Sequence, residues 1–217
     1  DVIATNDPWL GTGHLYDINV MRPVFLDDQL IGYTFSITHL PDIGGLGFSA
    51  TAKQVFEEGL RLPICKLVSA GNLNDELLEL IAVNVRVPNQ TVGDIKANIA
   101  CTEVGERLLI EFMREYEIAD LTTISNAIIE ISEEKMRAAI LEIPDGSYKN
   151  EIKIEGFEGP STLAIRIDVN GDTIHADCSG TSGVVPMAIN VPFQYAKAFV
   201  AYAIKCLTTP NIPNNSG

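Results

Sequence analysis

The sequence predicts an α+β fold in which two β-hairpin regions flank a mainly helical middle section. Three observations carry that prediction. Residues 30–38 alternate apolar and polar side chains, the two-residue period of a strand. Residues 163–169 and 174–178 alternate in the same way around Asn170-Gly171, a strong short-range hairpin signal. Between these regions, apolar residues recur at helical spacing from Val92 to Tyr116 and from Ile124 to Ile143.

Residues 1–50 form a Gly-rich hairpin region. Ile18 to Phe25 and Leu30 to Thr38 read as strands, with Asp27 and Asp28 as turn residues between them. Ile31, Tyr33, Phe35 and Ile37 share one face, and Gly32, Thr34, Ser36 and Thr38 share the other. A turn around Asp28 makes paired positions sum to 56. Met21 then faces Phe35 and Phe25 faces Ile31, a coherent apolar face.

Residues 51–144 read as mainly helical. The expected helices are Thr51 to Arg61, Asp75 to Val83, Thr91 to Tyr116 and Thr122 to Ile143. Asn74 is the N-cap expected for the second. Gly105 weakens the third, and Pro144 stops the fourth. The apolar stripes read as core-facing sides.

Residues 145–217 hold the second hairpin, a small-residue loop at 179–183, a helix from Phe193 to Leu207 and a loose tail. A turn centred on Asn170-Gly171 sets Ile167 against Ile174, Ile165 against Ala176 and Leu163 against Cys178. It sets His175 against Arg166, as a solvated surface residue. The three regions read as one continuous domain. The start at Asp1 and the Pro/Asn-rich end read as those of a fragment of a longer chain.

Composition removes several function classes. Lys and Arg number 15 against 29 Asp and Glu, a net charge of −14 that disfavours nucleic acid as the main partner. A hydrophobic content of 46% belongs to a folded chain, not a disordered one. No apolar run approaches the roughly 20 residues that span a bilayer. There is no signal-like leader and no CxxC pair, so reduced thiols and a cytoplasmic location are expected. There is no P-loop, no GxGxxG after a strand and no GxSxG elbow.

The chemistry concentrates in the first block. The chain has three histidines, and two of them, His14 and His39, lie in Gly-rich polar contexts. The register that sums to 56 places Asp17 directly across from His39, with Cβ atoms about 5 Å apart. His14 precedes Asp17 by three residues in a Gly-containing turn. Two imidazoles and one carboxylate then converge at the open end of the hairpin. That donor set suits a divalent metal such as Zn, Mn or Fe and leaves positions for water or substrate. The structural alternative is that His14 and Asp17 cap a turn while His39 bonds at a strand end. Asp7 and Asp42 are further carboxylates of the same block. They are candidates for a catalytic base or for orienting a histidine, or simply for forming Asx turns.

These residues resemble a known family. Asn6-Asp7-Pro8-Trp9, Gly13-His14-Leu15-Tyr16-Asp17-Ile18 and His39-Leu40-Pro41-Asp42-Ile43-Gly44-Gly45 are similar to segments of the hydantoinase B/oxoprolinase family. The likeness continues through Phe56-Glu57-Glu58-Gly59-Leu60-Arg61-Leu62-Pro63, Asn84-Val85-Arg86-Val87-Pro88, Gly93-Asp94-Ile95-Lys96-Ala97, Asp177-Cys178-Ser179-Gly180-Thr181-Ser182 and Ile189-Asn190-Val191-Pro192. The resemblance implies a metal site at His14, Asp17 and His39. It implies a hetero-oligomer in which a hydantoinase A-like partner subunit uses ATP and Mg to phosphorylate a cyclic amide or ketone. This chain would then complete ring opening at its metal, with Asp7 or Asp42 as base or support. A ketone carboxylase subunit of the acetone or acetophenone carboxylase type is the runner-up. Gly11-Thr12-Gly13, Tyr16 and Leu40 depart from the common family pattern; Leu40 stands where many members have a second histidine. Two readings from other classes stay open: an Fe(II) oxygenase, which uses the same donor set, and a non-catalytic assembly subunit whose His/Asp loops hold an interface.

Overall fold

The computed structural model describes residues 1–156 and 159–217 and is α+β. Its residues group into two compact units. The first comprises residues 1–121 and 185–196, the second residues 122–184 and 197–217. This grouping differs from the three sequence blocks: it divides the helical section and returns residues 185–196 to the first unit.

The first unit is built on a five-stranded antiparallel sheet in the order β3-β2-β1-β4-β5. The strands are β1 (Val2–Thr5), β2 (Asp17–Leu26), β3 (Gln29–His39), β4 (Cys65–Ser69) and β5 (Asn72–Leu73). The first hairpin keeps the expected register from Asp17↔His39 to Val24↔Gly32. A bulge then shifts it, so Phe25 pairs with Leu30 and not with Ile31. Asp27 and Asp28 both have positive φ, at 48° and 63°, as a two-residue type I′ turn requires.

The helices are α1 (Val55–Glu58), α2 (Asp75–Asn84) and α3 (Pro88–Glu115). The α1 segment is a single turn, much shorter than the expected 51–61. Its flanks are drawn into other bonds: Leu60 N donates to Ile43 O and Leu62 N to Asn6 Oδ1. Asn74 caps α2 as expected, accepting from Leu77 N at 3.1 Å. Pro88 starts α3 one turn earlier than expected, at the position where its missing N–H costs nothing.

Ile18, Val20 and Val24 of β2 are fully buried with Val2, Leu67 and Ile95. Their neighbours on β3 are the polar ones. Thr34 Oγ1 donates to Thr102 O, Ser36 Oγ to Asn98 Oδ1, and Asn98 Nδ2 to Thr38 Oγ1. The buried side of α3 therefore reads Thr91, Ile95, Asn98, Thr102, with its polar groups paired. Gly105 makes this close approach possible, because a Cβ there would lie 2.9 Å from Thr34 Cγ2. The apolar face of the hairpin is the open one: Tyr33, Phe35 and Ile37 are exposed. The expectation that every apolar stripe faces a core is corrected likewise. Leu108, Phe112 and Tyr116 of α3 are exposed, as are Ile124, Ile128 and Ile131 in the second unit.

The second unit pairs β6 (Gly146–Ile154), β7 (Ser161–Asn170) and β8 (Thr173–Asp177) antiparallel, with α4 (Thr122–Leu141) and most of α5 (Phe193–Thr208). Its hairpin register is two residues away from the expected one. Val169 faces Ile174, Ile167 faces Ala176 and His175 faces Asp168. The turn is Gly171-Asp172, with positive φ only at Gly171, the pattern of a type II′ turn. Among the described residues no helix is long and apolar enough to cross a membrane.

Candidate metal centre

The chain enters the site from β1. Asn6, 1% exposed, donates through Nδ2 to Leu15 O (2.8 Å) and Leu60 O (2.9 Å) and accepts from Leu62 N (2.6 Å). One amide thus ties the histidine turn to the segment after α1. Asp7 starts that turn. Its Oδ1 accepts from Trp9 N, and its Oδ2 takes both Nε and a terminal nitrogen of Arg61. The Arg61 guanidinium lies 5.2 Å from the centre of the Trp9 ring. Gly13, at φ 98°, turns the chain where a Cβ would come within 2.9 Å of the Tyr195 ring. Leu15 N then donates to Glu58 Oε1 at 2.8 Å.

His14 is held at this turn, and Asp17 opens β2 directly across from His39 at the end of β3. Asp17 Oδ1 lies 2.9 Å from His39 Nδ1, and Oδ2 lies 3.3 Å from His14 Nε2. One ligand atom from each residue falls within 4.8 Å of the others. His14 Nδ1 is buried and has no hydrogen-bond partner. Two imidazole nitrogens and one carboxylate, all at one end of the β2–β3 ladder, fit a divalent cation.

An aromatic wall surrounds the trio. Tyr16, 4% exposed, stacks on His39 with ring centres 5.1 Å apart and planes at 16°. Phe48 meets His14, Tyr16 and His39 edge-on at 5.4–5.6 Å. Burial and the nearby acids Asp42 and Glu58 raise the Tyr16 phenol pKa, against the opposing effect of Arg86.

Asp42 organises the loop that carries Phe48. Its Oδ1 accepts from Gly44 N (3.0 Å) and a terminal nitrogen of Arg86 (2.9 Å), and its Oδ2 accepts from Arg86 N. Burial pushes this carboxyl up, but the N–H donors of Arg86 and Gly44 and the guanidinium outweigh it and hold the pKa low. Gly45, at φ 61°, packs so tightly on α1 that a Cβ would lie 2.5 Å from the Glu58 carbonyl.

The structure therefore brings His14, Asp17 and His39 together. Asp7 and Asp42 lie outside that cluster, each engaged by an arginine and by backbone N–H groups. Sequence reasoning missed the roles of Tyr16, Phe48 and Glu58. Tyr16 sits inside the His14–Asp17 segment, so proximity was available as a signal; Phe48 and Glu58 reach the site only through loop packing.

The family profile described as hydantoinase B/oxoprolinase matches residues 1–217. An uncharacterised protein of Methanocaldococcus jannaschii is 33% identical over the whole chain, and the chain covers 39% of it. The B-type component of a putative D-/L-hydantoinase from Pseudomonas sp. NS671 is 31% identical, again over the whole chain and 40% of the relative. The crystal structure of the ATP-dependent caprolactamase of Pseudomonas jessenii superimposes with a TM-score of 0.91 at 28% identity, covering this whole chain and 38% of that one. The chain thus spans about two fifths of the length of these relatives.

Proposed function

Because the chain belongs to the hydantoinase B/oxoprolinase family, we propose that it forms part of a subunit of an ATP-dependent cyclic-amide hydrolase. In this reading His14, Asp17 and His39 hold a divalent metal where the ring is opened. A hydantoinase A-like partner takes up ATP with Mg and activates the amide. The observation that carries the reading is the convergence of the three donors within 4.8 Å at one end of the β2–β3 ladder.

A metal held there would stabilise negative charge on the reacting carbonyl and lower the pKa of a bound water. The chain's own residues set the stage for that chemistry. Asp17 contacts both imidazoles and fixes their relative orientation. Tyr16 stacks on the His39 ring and Phe48 meets both histidine rings edge-on, which restricts how the rings can turn. Asp7 and Asp42 act as positioning residues: Asp7 shapes the His14 turn, and Asp42 seats the Phe48 loop. With its pKa held low, Asp42 is a poor proton acceptor at neutral pH.

The test uses the full-length chain assembled with its ATP-binding partner. Metal content and ATP-dependent lactam hydrolysis are measured for wild type and His14→Ala. The expected result is about one equivalent of Zn, Mn or Fe per chain, lost together with turnover in the variant. Wild-type turnover that persists, with Mg supplied for ATP, after the Zn, Mn or Fe has been stripped from this chain would overturn the reading.

A further inference from the structure

The face of the first sheet opposite α3 is open. Its cross-strand rows read Asn19/Ile37, Met21/Phe35 and Pro23/Tyr33, and after the bulge Phe25/Leu30. Between the Asp17–His39 row and the Asp27-Asp28 turn, these rows hold no charged side chain. Phe25, Tyr33 and Phe35 are 50%, 55% and 55% exposed. With 150–250 Å² per aromatic side chain, half exposure leaves roughly 300 Å² of open apolar surface on these three alone. Leu30 and Ile37 add to it. A groove of about 190 Å³ between Ile3, Leu10, Met21, Phe35 and Ile64 is a socket for an anchoring apolar side chain. A contiguous apolar patch of this size marks an interaction surface.

We infer that this face is covered from within a longer chain, by an apolar segment lying outside residues 1–217. The caprolactamase structure matches this whole chain with only 38% of its own length, so the larger part of that chain lies outside the match. Three arguments favour a tethered cover over a second copy or a separate partner. A tethered segment meets the face at a high effective concentration, whereas a separate chain must also lose its free translation and rotation. Exchangeable partners meet on surfaces about as polar as the rest of the protein, whereas a strip without charge resembles a domain core cut in half. Finally, β3 is the edge of the sheet, with no charged residue before His39 and no proline. Such an edge is a template for unwanted pairing unless something covers it. The strip ends on the Asp17–His39 row, so its cover borders the half-exposed His39 side chain. The inference stands on this surface and does not rest on the proposed function.

The experiment uses the full-length chain. The photo-reactive residue p-benzoylphenylalanine replaces Phe35 in one variant and Tyr33 in another. After irradiation, gel mass separates links within a chain from links between chains, and mass spectrometry locates them. The expected result is a product of single-chain mass whose links join position 35 or 33 to peptides outside residues 1–217. Links to a second copy or to any other polypeptide, links confined to residues 1–217, or no links in either variant would overturn the inference. Phe35→Lys gives a second reading without the probe. A charge placed under a cover should lower the thermal midpoint of the full-length chain by about 5 °C or more. An unchanged midpoint means that Phe35 faces water in the full-length chain, and it would overturn the inference as well.

Discussion

Asp17 lies directly across the β2–β3 ladder from His39, with its Oδ1 2.9 Å from His39 Nδ1. Its other oxygen lies 3.3 Å from His14 Nε2, so one carboxylate contacts both imidazoles. Asp17→Asn keeps the shape and removes the charge. Metal affinity should fall by more than about 10–100-fold, the loss typical of merely removing a ligand's supporting group. Competition against a chromogenic chelator reads this directly; unchanged affinity would remove Asp17 from the ligand set.

Asn6 should be among the costliest single positions in the first unit. Asn6→Leu leaves Leu15 O, Leu60 O and Leu62 N without their buried partner. The expected loss is about 3 kcal/mol or more, measured by urea unfolding. A loss below about 1 kcal/mol would mean that these loops are held mainly by packing.

Two glycines should respond in opposite directions to alanine. Gly45 has φ 61° and meets the Glu58 carbonyl 2.5 Å from where a Cβ would sit, so Gly45→Ala should destabilise by about 2 kcal/mol or more. Gly93 lies inside α3 with open space around it, so Gly93→Ala should stabilise by about 0.5–1 kcal/mol. Thermal unfolding of both variants tests the pair, and the same sign for both would contradict the packing of the 42–48 loop on α1.

Asp42 predicts a pH signature. Its folded pKa lies below the ordinary carboxylate value. Its contribution is therefore fully present above the unfolded pKa and is lost as pH falls through the folded one. Asp42→Asn should be less stable than wild type at pH 7, and the difference should shrink below about pH 4. Urea midpoints at pH 7 and pH 3 measure this. A difference that grows on acidification would refute the Asp42–Arg86 assignment.

How much of this was legible beforehand depended on what each element's neighbours did. The first hairpin's register was readable near its open end, because a tight two-Asp turn and alternating strands leave little slack; the bulge at Val24/Phe25 had no local signal. The second hairpin shows the limit of the same reasoning. A slip of two residues leaves every side chain on the face it already occupied, so apolar matching could not separate the expected register from the observed one. The turn residues decided it: Gly171 takes the positive φ as the first of the two loop residues. The α1 helix is shorter than the 51–61 pattern predicts because its flanking backbone groups bond to Asn6 and Ile43 instead.

By itself, the sequence determined which residues share a strand face and that Asp17 meets His39 with His14 three residues behind. Those relations follow from backbone period and turn length, which are local. Only the tertiary structure decided which hairpin face is covered. The polar side of β3 lies under α3, where Gly105 permits close approach and Asn98 and Thr102 partner its hydroxyls. Only packing, too, brought Phe48, Glu58, residues 188–191 and Tyr195 beside His14. Periodicity groups side chains onto faces, but burial is a property of two surfaces, and the second surface here comes from residues far away in the chain.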